Sequence, residues 1–88
     1  MELLTILGER VRRQRMALGL TQTALAAQAG IPIPNLSRIE HGRQSIYIER
    51  LVALAGALHV STDYLLGRTD TLRPAPKRQR PRTVAPMG

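Results

Sequence analysis

The chain has 88 residues, a formal net charge of +7 and no cysteine. That length suits one small domain in which every element must lend an apolar face to the core. Without thiols there can be no disulfide and no cysteine-ligated metal, which fits a reducing compartment. The charge is unevenly placed. Arg73, Lys77, Arg78, Arg80 and Arg82 crowd residues 73–82, and the other eight of the thirteen basic side chains face six acidic ones. The high pI is therefore mostly a property of the C-terminal stretch, and basic tails serve acidic proteins, membranes and nucleic acids alike. No run is long and apolar enough to span a membrane. MELLTILGERVRRQR lacks the basic start and apolar run of a secretory signal, so a cytoplasmic location is expected.

The body reads as five short helices. Leu4, Leu7, Val11 and Leu18 share one face of the first, with Gln14 and Arg15 at its edge. Gly19 stops that helix, because glycine takes the left-handed conformation of a C-terminal cap. Thr21 is the expected N-cap of the second helix, TQTALAAQA, which Gly30 ends. A third helix runs from about Ile33 to His41 and is closed by Gly42. Its entrance is unusual, since Pro32 and Pro34 flank Ile33. The first amides of any helix lack intrahelical partners, so proline is permitted there. Asn35 is a candidate cap for a later start. Ile48, Leu51, Ala55 and Leu58 give the stripe of a fourth helix. Ser61 caps a short fifth, TDYLL, with Asp63 near its positive end and Gly67 behind it. No alternation of period two persists long enough for a sheet. Tyr47 and Tyr64 are the sole aromatics, which leaves no platform for stacking bases. The expected division is an all-α domain over residues 1–70 and a Pro-rich basic tail over 71–88 that cannot bury enough to fold.

The informative stretch is QTALAAQAGIPIPNLSRI, residues 22–39. Leu25 and Ala29 point inward from one helix, and Leu36 and Ile39 from the next. Ala26 is small where two helices would cross closely, Gly30 permits a tight turn, and Ile31 plugs it. Two helices joined steeply by a turn of a few residues form a helix-turn-helix. At this point the chain resembles the phage repressor and Cro-like helix-turn-helix proteins, the XRE-type family. The matching segments are RVRRQRMALGLTQTALAAQAGI, LSRIEHGR and LVALAGALHVSTDYLLG, spanning roughly residues 7–67, and their mutual spacing matches too. The resemblance implies a compact five-helix, lambda-repressor-like domain that binds double-stranded DNA, usually as a homodimer on a palindromic operator.

The resemblance also implies roles by position. Gln22 matches a glutamine that holds phosphate. Arg15 and Glu40 match a structural ion pair between the first and third helices, with Arg15 also near phosphate. His41 and Arg43 match the turn that faces the DNA backbone, and Asn35 joins the phosphate set. Ile33, Pro34, Ser37 and Arg38 occupy positions that face base edges. Pro32 stands where the family usually has a serine or threonine cap. Arg38 can bond bidentately to guanine O6 and N7, Ser37 suits several bases, and Ile33 and Pro34 suit thymine methyls. A half-site with a guanine near T-rich steps follows. For the dimer contact two regions compete: Ile46, Tyr47 and Ile48, or Val60, Tyr64, Leu65 and Leu66.

Other classes fare worse. His41, Ser45 and Asp63 fall in no catalytic spacing, and no nucleophile motif or phosphate-binding loop is present. Two distant histidines without cysteine make no metal site. Neither enzyme activity nor a cofactor is expected. The function expected is a sequence-specific, DNA-binding transcriptional regulator of repressor type. The alternative is an antitoxin-type protein that neutralises a partner toxin through its tail or surface. The tail is read as a basic arm on phosphates, against an inert end or a segment that folds on a protein partner.

Overall fold

The computed structural model describes residues 2–72. The expected tail therefore lies almost wholly outside the described residues. Five helices follow in order: α1 (Glu2–Ala17), α2 (Gln22–Ala29), α3 (Ile33–Glu40), α4 (Ile48–Leu58) and α5 (Thr62–Leu65). Among the described residues there is no strand.

One core joins all five. Leu7 and Val11 of α1, Leu25 of α2, Leu36 and Ile39 of α3, Leu54 and Leu58 of α4, and Leu65 of α5 are fully buried in a single cluster. The helix-turn-helix positions behave as their spacing predicts. Ala26, Ala29 and Ile31 are buried between α2 and α3. Gly30 adopts φ 68°, and Ile31 N closes on Ala26 O at 3.0 Å, so the turn ends α2 and drives Ile31 inward in one step.

The caps explain where each helix begins. Thr21 accepts a hydrogen bond from Ala24 N at 3.0 Å, and Ser61 accepts one from Tyr64 N at 2.9 Å. Pro32 is the N-cap of α3 and supplies no side-chain bond. Its carbonyl alone starts the ladder, accepting from Asn35 N and Leu36 N at 3.0 Å. Asn35 thus lies inside the first turn and does not cap a later start. His41 is the C-cap of α3 and lies just beyond its last residue. His59 is the C-cap of α4 in the left-handed region, at φ 59°.

Two apolar residues expected in the core stripes face solvent. Leu18 is 41% exposed, because α1 ends at Ala17 and the turn at Gly19 reverses the chain. Leu20 packs against the core in its place, held by Leu20 N on Arg15 O at 3.0 Å. Ile48 is 74% exposed. The buried face of α4 centres on Leu54 and Leu58, so Ile48 falls one turn before the exposed Val52, on the outer edge.

Two close fits fix how α1 carries the rest. Gly8 lies mid-helix against the end of α3, where an added β-carbon would come 2.5 Å from Ile39 O and 2.6 Å from Glu40 O. At the other side Arg10 stacks over Tyr64, 4.5 Å from the ring centre. It donates to Tyr64 O at 3.1 Å and Thr69 O at 2.6 Å, and pairs with Asp70 at 2.7 Å. This arginine ties the segment after α5 back to α1.

Gly8→Ala is expected to destabilise the fold by about 1–3 kcal/mol through overpacking. Gly56→Ala, on α4 where nothing lies within 4 Å, is expected to stabilise it by about 0.5–1 kcal/mol. Urea unfolding midpoints of the two variants should shift in opposite directions. A Gly8→Ala midpoint at or above that of the wild type would contradict the close α1–α3 approach.

Candidate nucleic-acid interface

α3 buries Leu36, Ile39 and Glu40 and turns the rest of its surface outward. Pro34 and Arg38, one turn apart, form the middle of the outer face. Ile33, 45% exposed, and the half-buried Ser37 form a second such pair beside them. The four residues expected to face base edges thus make one contiguous strip. Its centre is a cation beside a proline ring, flanked by an isoleucine and a hydroxyl.

The orientation of that strip is set from behind by Glu40, whose side chain is only 1% exposed. Arg15 of α1 meets it with two bonds, Nε to Oε2 at 2.6 Å and Nη2 to Oε1 at 3.0 Å. The same guanidinium donates Nη1 to Leu20 O at 2.9 Å. Gln22 of α2 adds a third donor, Nε2 to Oε1 at 3.0 Å. One buried carboxylate therefore joins the three helices, with its charge paired and hydrogen-bonded as burial requires. This places Gln22 inward, on Glu40, rather than wholly outward. Its Nε2 carries two hydrogens, so one remains available. Arg15 has committed three of its five N–H groups.

The other phosphate candidates lie nearby. His41 is exposed, with Nδ1 2.8 Å from Ser37 O. A carbonyl oxygen only accepts, so Nδ1 carries the hydrogen and Nε2 faces outward. Arg43 is exposed on the turn after α3, and its backbone N closes on Arg38 O at 2.9 Å. Asn35 is half-buried and donates Nδ2 to Gln44 Oε1 at 3.4 Å.

Sequence reasoning passed over three residues. Arg12 and Arg13 line an open cleft with Glu9, Met16, Glu40 and His41, between α1 and the end of α3. Their place opposite the Leu7–Val11 stripe could have marked them as exposed cations on this side. Gln44 accepts from both Asn35 and Arg38, and no local pattern points to it. Of the two candidate dimer regions, Val60, Tyr64 and Leu65 are buried within the chain and Leu66 is half-buried, while Tyr47 and Ile48 are exposed and Ile46 is half-buried against the core. Val52, one turn after Ile48, is exposed as well. Tyr47 carries Arg50 over its ring at 5.3 Å.

This arrangement, a buried pair behind an outward second helix, is that of a helix-turn-helix domain, and comparison with known proteins agrees. The family model described as Helix-turn-helix matches residues 11–65. The chain belongs to that family, in its phage-repressor-like, XRE-type branch. It is 42% identical over 57 residues to an uncharacterised transcriptional regulator in the ATPase CF(0) region of Rhodospirillum rubrum, covering 65% of this chain and 53% of that protein. It is 38% identical over 63 residues to the cryptic phage CTXphi transcriptional repressor RstR of Vibrio cholerae, covering 72% of this chain and 56% of the other. The chain spans just over half the length of these curated relatives. Among solved structures it is similar to the P22 c2 repressor in complex with a synthetic operator, at TM-score 0.66 and 38% identity, covering 68% of this chain and 91% of that one. It is also similar to the restriction-modification controller protein C.AhdI of Aeromonas hydrophila, at TM-score 0.70 and 29% identity, covering 74% and 98% of the two chains.

Arg15→Ala is expected to cost about 3–5 kcal/mol of stability, because it leaves Glu40 buried without its charge partner. The double change Arg15→Ala with Glu40→Ala should cost clearly less than the two single changes together. Chemical denaturation of the four proteins checks this, and strict additivity would contradict the coupling.

Proposed function

We propose that the chain is a sequence-specific, double-stranded-DNA-binding transcriptional regulator of repressor type, acting in the cytoplasm as a homodimer on a palindromic operator. The observation that carries this reading is the outward strip of α3, with Arg38 and Pro34 at its centre and Ile33 exposed beside them. The likeness to a repressor solved on a synthetic operator supports it.

In this reading α3 enters the major groove. Arg38 bonds a guanine, Ser37 supplies an adaptable hydroxyl, and Ile33 and Pro34 meet thymine methyls. Gln22 gives phosphate its second amide hydrogen while the first stays on Glu40, and Arg15 has its remaining N–H groups behind it. Asn35, His41 and Arg43 set the register along the backbone. Arg12 and Arg13 add positive charge on the same side. The basic stretch at residues 73–82 acts as an arm on phosphates further along. The exposed apolar group Tyr47, Ile48 and Val52 is the surface offered to a second copy. The toxin-neutralising alternative finds no counterpart among the relatives named above, each of which is named for a regulator, repressor or controller.

Selection of duplexes from a random library tests the reading. The wild type should enrich a palindrome whose half-sites lie about one helical turn, 34–36 Å, or a multiple of it apart. Arg38→Ala should lose the preference for one guanine per half-site. Binding that enriches no motif and merely weakens with salt would overturn sequence-specific recognition.

A further inference from the structure

The turn after α3 folds back along the outer face of that helix. Gly42 adopts φ 71°, Arg43 N closes on Arg38 O at 2.9 Å, and the chain at Gln44 returns beside Arg38. There Gln44 Oε1 lies 3.0 Å from Arg38 Nε and 3.4 Å from Asn35 Nδ2. The guanidinium Nε can only donate, so it must face the amide oxygen and not the amide nitrogen. An amide oxygen has two lone pairs, and here both take donors from α3.

A guanidinium held at Nε has its remaining edge defined. Among the described residues Nη1 and Nη2 of Arg38 meet no partner, so this end of the fork faces outward. That is an edge able to bond guanine O6 and N7 together. A free arginine on an exposed helix samples many rotamers and loses that freedom when it binds. The hydrogen bond from Gln44 removes part of that freedom beforehand. The residue type suits the task, because an amide orients Arg38 without cancelling its charge, whereas a carboxylate at this place would pair with it and repel phosphate.

We propose that Gln44 is a positioning residue for base recognition, fixing Arg38 in an end-on approach to guanine without itself reading a base. This rests on the base-reading role given to Arg38 above. It extends the specificity determinants beyond α3 into the following turn.

The test measures affinities of the full chain for a set of duplexes. The set holds the selected operator and versions changed one base pair at a time. Arg38→Ala first identifies the pair that Arg38 reads. Gln44→Met keeps side-chain length and removes the acceptor. It should reduce discrimination at that same pair by about 2- to 10-fold, and leave the slope of affinity against salt unchanged. Gln44→Glu restores an acceptor, and should recover the discrimination while lowering affinity for every duplex. Wild-type discrimination in Gln44→Met would overturn the proposal. So would lost discrimination at a different base pair, which would make Gln44 a reader in its own right. If Arg38→Ala leaves every base preference intact, the base-reading role of Arg38 fails, and the positioning role fails with it. These failures are distinguishable, because only the last is seen with Arg38→Ala alone.

Discussion

A carboxylate taken out of water must be paired, and the pairing of Glu40 organises this molecule. The residue sits at the end of α3, on the side away from the exposed strip. Arg15 of α1 and Gln22 of α2 converge on it with three hydrogen bonds. Because those donors come from two different helices, the carboxylate fixes both the rotation of α3 and its tilt against the scaffold. Gly8 supports the same junction, since only a residue without a side chain lets α1 approach the final carbonyls of α3. Burial of an ion pair is weak evidence for net stability. Its consequence here is orientation, which a binding helix needs more than it needs extra stability.

The need is sharper because α3 begins weakly. It has eight residues, and its N-cap is a proline with no side-chain bond to offer. A helix that short is marginal in isolation and depends on tertiary packing. Its start rests on the backbone carbonyl of Pro32 and on Ile31 seated in the core. The fixed φ of Pro34 lowers the entropy lost in the first turn. The end of α3 is held by the side-chain bonds to Glu40 and by the turn that closes Arg43 on Arg38. The Glu40 junction and the closing turn thus lie next to Arg38, where directional bonding to a base makes the strictest demand, while apolar Ile33 and Pro34 lie at the end without a side-chain cap.

Much of this was legible in the sequence, and the physical reason is locality. Leu25, Ala26, Ala29, Ile31, Leu36 and Ile39 declare themselves by helical spacing and by small residues where helices cross. Thr21 and Ser61 cap as their types prescribe. Leu18 and Ile48 misled because a stripe extended by period alone ignores where the helix stops and how far its neighbours reach. The outward strip of α3 came from the family resemblance, which implied that Ile33, Pro34, Ser37 and Arg38 face outward. The inward engagement of Gln22, the acceptance by Gln44 and the reach of Arg10 to Thr69 and Asp70 were not legible. Each depends on side chains brought together by the tertiary turn, and no spacing rule encodes it. A proline pair at the helix entrance left a start at Ile33 or a later one capped by Asn35, and the backbone bonds to Pro32 O decide for Ile33.

The central claim is that the strip on α3, backed by the Glu40 junction, is the surface that meets DNA. Amide chemical-shift mapping by NMR, with the chain titrated by its selected duplex, tests this most directly. The account predicts the largest changes at residues 33–38, at Gln22, and through the turn at residues 41–45, with the buried positions of α4 and α5 little affected. Changes centred on α4 and α5, with α3 silent, would contradict it.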